Sequence, residues 1–262
     1  MTYLPGGETV PLDAVGTVAV VDLEAACGLY ERDWLPFPLG RSRPVGSVWL
    51  VTREVAPIED RLAGGDLREV REWVEAFARA DVCVGCRVSF TDEGTLDLRV
   101  NGVAANDSAF VAVQQTDSDG VDIVDIYSLP PGDIGAAIAH SVGLEHAGFR
   151  PRIAVSGGGE QLPPPPESVD EYDAFGFPVA NTGPRGPAYD KVDESDIVAT
   201  GTVQSMGGGT RHWVQVKDDG AYLYTCDGSG YAEPIDAFAL RACIDGLIGE
   251  DLAREGGPYG GS

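Results

Sequence analysis

The chain has 262 residues, with 42 acidic against 18 basic side chains and a formal net charge of −24. That length can bury a sizeable core, and 43% apolar residues is ordinary for a folded protein, so the charge does not imply wholesale disorder. A field this negative repels phosphate and excludes nucleic acid or anionic lipid as the main partner. Lys occurs only at Lys191 and Lys217, and no run of Arg could track a polyanion.

Residues 15–21 are apolar and β-branched and predict a strand. Asp22 then reads as a helix cap before Leu23, Ala26, Cys27 and Tyr30, and Pro36 and Pro38 end that element. A short strand follows at 48–51. Asp66 and Glu69 have capping-box spacing ahead of a helix whose Leu67, Val70, Val74 and Phe77 share one face, widened by Trp73 into a packing stripe. Residues 82–90 predict a strand, and Leu96, Leu98 and Val100 alternate as another. Strands at 110–113 and 121–127 flank the turn signal Asp117-Ser118-Asp119-Gly120. Pro130 and Pro131 lead into a helix carrying Ile134, Ile138 and Val142.

After a short strand at 152–155 comes a Pro/Gly-rich stretch, 156–195, with Gly157-Gly158-Gly159 and Pro163-Pro164-Pro165-Pro166. It is expected to be loop-rich, with one or two helical turns at Val169, Tyr172 and Phe175. The earlier order then recurs. A strand at 197–203, a turn at 206–209 and a hairpin around Asp218-Asp219-Gly220 precede Glu233-Pro234. A closing helix from about Asp236 carries Leu240, Ile244, Leu247, Ile248 and Leu252. Strand, hairpin, proline, helix therefore occurs twice, which is a duplication of supersecondary units. The chain reads as a single domain over 1–262. Its first half is about 1–155, the crossover about 156–195, the second half about 196–255, with a short disordered tail at 256–262.

Templates for chemistry do not fit. Cys83-Val84-Gly85-Cys86 is a lone CxxC in a β-branched strand, where residues three apart point to opposite faces, so buried structural cysteines are expected. Aligning Gly120 with a calcium-loop glycine puts Gln115 first and Ile126 twelfth, where Asp and Glu are needed. His140 and His146 are six apart, off the spacing that brings two ligands to one metal, and His212 opens a strand. There is no G-x-S-x-G nucleophile elbow and no G-x-x-x-x-G-K-[ST]. Carboxylate pairs are uninformative when one residue in six is acidic. The first seven residues have neither the basic nor the apolar region of a leader. No apolar run nears the roughly 18 residues that span a bilayer, so the expected location is cytoplasmic.

The arrangement is similar to that of the EspG family, chaperones of actinobacterial ESX (type VII) secretion systems. Trp34-Leu35-Pro36-Phe37-Pro38-Leu39 resembles the family's Leu-Pro-rich bend after its first helix. Residues 67–81 resemble the helix before its first long strand, and Pro151-Arg152-Ile153-Ala154-Val155 its short strand after the first half. The block Asp218-Asp219-Gly220-Ala221-Tyr222-Leu223-Tyr224 with Glu233-Pro234-Ile235-Asp236 and the closing helix resembles its C-terminal portion, although Ala221 stands where many members have Arg. The resemblance implies a pseudo-twofold α+β fold, duplicated βα halves around a mainly antiparallel sheet with flanking helices. It implies no enzyme activity; with the metal and nucleotide templates unmatched, no cofactor or metal is expected. It also implies binding to a PE–PPE heterodimer through the PPE tip, by loops between strands of the first half and by the closing helix. Within the matching segment, residues 92–108, the apolar partner-binding candidates are Leu96, Leu98 and Val103; ordinary strand packing is the competing role for each. The linker, the CxxC and the acidity depart from the family pattern.

A small acidic enzyme or ligand-binding protein of another α+β family is the alternative, and a dimerising scaffold a third. An unpaired sheet edge would admit a homodimer. The acidity itself fits salt adaptation or an Arg-favouring genome. On a chaperone it would keep a sticky face soluble and is expected to be sparse on that face.

Overall fold

The computed structural model describes residues 10–42, 56–156, 189–225 and 230–255. The chain opens with β1 (Asp13–Ala19), α1 (Val20–Gly28), α2 (Ile58–Gly64) and α3 (Arg71–Ala78). A first meander follows: β2 (Val82–Phe90), β3 (Leu98–Ala105), β4 (Ser108–Thr116) and β5 (Asp122–Leu129), then α4 (Ile134–Val142). After β6 (Ile153–Ser156) and β7 (Asp190–Asp193) comes the second meander: β8 (Ile197–Ser205), β9 (Thr210–Val216), β10 (Gly220–Tyr224) and β11 (Tyr231–Pro234), then α5 (Ala237–Glu255). The strands form one sheet in the order β1-β5-β4-β3-β2-β8-β9-β10-β11-β6-β7. Every neighbouring pair is antiparallel except β6 with β7. The fold is α+β, and the two meanders meet at the antiparallel β2–β8 pair with a helix following each, as the duplication in the sequence predicts.

Period-two alternation decides which residues each face buries. Val82, Val84, Cys86 and Val88 of β2, with Val100, Val111, Val203 and Trp213, pack against Ile134 and Ile138 of α4 and Leu240, Ile244 and Leu247 of α5. The other face of the first half puts Val103, Phe110, Ala112, Val124 and Ile126 against Leu23 of α1 and Trp73, Val74 and Phe77 of α3. A third cluster joins Ile153, Val192, Val214, Val216 and Tyr222 in the second half. Burying one such side chain is worth about 1.5–3 kcal/mol. Trp213, 1% exposed, packs against Gly201, where a Cβ would overlap the indole.

The bend at 34–40 is held by polar groups that the strands bury. Asn101, fully buried, donates Nδ2–H to the Phe37 carbonyl at 2.8 Å. Gln114 bonds both backbone groups of Gly40, at 2.9 and 2.7 Å, and Arg99 donates to the Gly40 carbonyl at 2.9 Å. These amides dock a loop that has no strand ladder of its own, although Asn101 Oδ1 is buried without a hydrogen-bond partner among the described residues. The approach is close enough that Gly85 has no room for a Cβ, which would overlap the Phe37 carbonyl.

Three local expectations are corrected. Asp22 does not cap α1, which starts at Val20 after Ala19; its carboxylate instead takes the Arg61 guanidinium at 2.9 Å. Asp66 is not a capping residue either, because the same Arg61 holds it at 2.9 Å, and a single 3₁₀ turn (Arg68–Val70) leads into α3. Arg61 lies on α2, a helix the apolar pattern did not announce. Leu252 is off the buried face of α5 and 46% exposed. The predicted strand at 48–51, the Val169–Phe175 turns and the tail at 256–262 lie outside the described residues. At the far end of the crossover, β7 pairs parallel with β6. Asp236 caps α5, accepting from Ala239 N–H at 2.8 Å.

The Gly85 contact makes a direct prediction. Gly85→Ala should lower unfolding stability by about 2–3 kcal/mol, because neither the Phe37 carbonyl nor the strand can move without breaking hydrogen bonds. A urea titration of the variant against the wild-type chain measures it, and an unchanged midpoint would show that the 34–40 bend gives way freely.

Candidate interaction surface

The groups that most resemble reactive chemistry are packed away. Cys83 turns toward the α1–α3 side and Cys86 toward the α4–α5 side of β2, so the CxxC sulfurs lie on opposite faces. Burial pushes the Cys27 and Cys86 thiols up to about 12 and raises that of Cys83. Among the described residues no group of three or more His, Cys, Asp or Glu is arranged to hold a metal ion. Burial lowers the pKa of His140 on α4; His212 is exposed and bonds Thr202 at 3.1 Å. The Asp117-Gly120 segment is a hairpin turn: the Asp117 carboxylate accepts from Asp119 N–H and Val121 N–H at 2.9 and 2.8 Å, and Gly120 takes φ 78°.

The three partner-binding candidates do not form one patch. Leu96, on the β2–β3 connection, is 67% exposed. Leu98 is half-buried against the α4–α5 core, paired across from Val88. Val103 is fully buried in the opposite core and has no surface to offer a partner. Val103 lies five positions beyond Leu98, an odd step, so strand alternation sends them to opposite faces. Val103 is therefore removed from the candidate surface.

What the topology does gather lies at one end of the sheet. The register places the end of β1, the starts of β5 and β3, and the ends of β4 and β2 side by side. The start of β8, the end of β9, the start of β10 and the end of β11 continue the row. Ten large apolar residues are exposed among the described ones, and six sit at this end: Val21, Phe90, Leu96, Val121, Phe149 and Phe238. Phe149 belongs there because its N–H bonds Asp219 in the β9–β10 turn at 2.8 Å, and Phe238 because α5 begins just past β11. Exposed acids stand between them, among them Asp92, Glu93, Asp196, Asp218 and Asp236. Acidity is thus not sparse here, contrary to expectation. Strands end in turns, and turns take Asp readily because its side chain bonds nearby backbone N–H groups.

Beside Leu96 a shallow groove of about 290 Å³ opens between the β2–β3 connection and Ser42, lined also by Arg87, Arg99 and Gln114. Its cations are committed: Arg87 Nε lies 2.9 Å from Asp97 Oδ2, and Arg99 serves Gly40. The groove has no nucleophile beside a base, and its chemistry is that of a rim. Sequence reasoning found Leu96 through the segment it occupies but missed Phe149 and Phe238. Phe238 carries one usable signal, since it lies two residues before Leu240 and off the Leu240–Ile244–Leu247 stripe.

No protein-family model matches the chain, and no curated protein matches it. No described helix is long and apolar enough to cross a membrane.

Buried, protonated thiols predict slow chemistry. In the native protein at pH 8, Cys27, Cys83 and Cys86 should react with an aromatic disulfide reagent at least roughly 100-fold more slowly than in guanidinium. Mass-spectrometric mapping of labelled cysteines tests this, and fast native labelling at Cys83 or Cys86 would show that the strand opens.

Proposed function

We propose that the chain is a cytoplasmic specificity chaperone. It binds a PE–PPE heterodimer through the tip of the PPE subunit, keeps that pair soluble and directs it to an ESX type VII secretion system. The observation that carries this reading is Leu96, 67% exposed on the β2–β3 connection with Phe90 at the neighbouring strand end. That is the first-half loop where the family resemblance expects contact. The duplicated α+β frame agrees with the same resemblance. An apolar cargo tip needs a surface of this kind, with apolar anchors inside a polar surround and no deep pocket. The reading is of a binding protein without enzymatic activity. A small-ligand site is less well supported, because the groove beside Leu96 is shallow and its arginines already have partners.

Co-expression with PE–PPE pairs, followed by size-exclusion chromatography, should give a one-to-one complex with the heterodimer. Leu96→Asp should weaken it about tenfold or more while leaving the circular-dichroism melt unchanged, as expected for an exposed anchor. A folded wild-type chain that forms no complex with any pair would overturn the chaperone reading.

A further inference from the structure

We draw no further inference here: the strongest candidate, the shallow groove of about 380 Å³ between the end of α1 and α2, lined by Leu29, Tyr30, Leu62 and Ala63, carries nothing because nothing among the described residues shows what covers it.

Discussion

The β2–β8 pair is the joint on which the remaining architecture depends. Its register runs from Val84 opposite Ser205 to Phe90 opposite Ala199, a long antiparallel ladder between strands far apart in sequence. Without it, each meander would end in an exposed edge and half a hydrophobic face. With it, one wide face is made, and α4 and α5 pack together across it. The pairing also sets local sizes: Val88 faces Gly201, and the absent side chain at Gly201 is the space that Trp213 occupies. Large-against-small complementarity of this kind fixes register as well as packing, because a slip of one residue would send Val84, Cys86 and Val88 to the other face.

That joint explains why so much of the frame was legible in the sequence. The alternation in 82–90 and the turn residues at 117–120 and 218–220 are local signals, and each one locates a strand end. The repeat of strand, hairpin, proline and helix then implied two equivalent halves before any pairing was known. Other features were illegible for physical reasons. Arg61 captures both Asp22 and Asp66, so two residues with the right chemistry for helix caps are used in tertiary ion pairs instead. The docking of 34–40 by Asn101 and Gln114 depends on amides that sequence reasoning assigns to the surface by default. Val103 was misjudged although its position relative to Leu98 already carried the answer, an odd number of steps along one strand.

The acidity has a structural distribution that composition alone does not show. Some carboxylates stand in exposed ion pairs on helices, such as Glu75 with Arg71 and Asp245 with Arg241, where each pair contributes little stability. Others occupy the turns at one end of the sheet, interleaved with Phe90, Leu96, Val121 and Phe149. Apolar groups set among like charges cannot associate with a copy of themselves without bringing those charges together. The same arrangement leaves them open to a partner of opposite charge. Charge here disfavours association of these apolar groups with copies of themselves.

The loop at 146–150 is the clearest case of structure maintained against the ordinary tendency of its residues. A Phe on a surface loop normally turns inward, where burying its ring is worth about 1.5–3 kcal/mol. Folding the loop inward would take Phe149 N–H from Asp219 and leave a carboxylate that is 5% exposed with one partner fewer. The Tyr222 hydroxyl, its pKa pushed up to about 12, first by burial and further by Asp219, remains a proton donor across the physiological range and keeps that carboxylate satisfied. Losing one partner of a buried charge costs about as much as the ring would gain by burial. The two effects nearly balance, and close packing of Gly148 against the Tyr222 ring tips the balance outward, because the loop has no room to fold over it. The exposure of Phe149 is therefore enforced by the core of the second half, so a substitution that loosens Asp219 should relax the display before it unfolds the sheet.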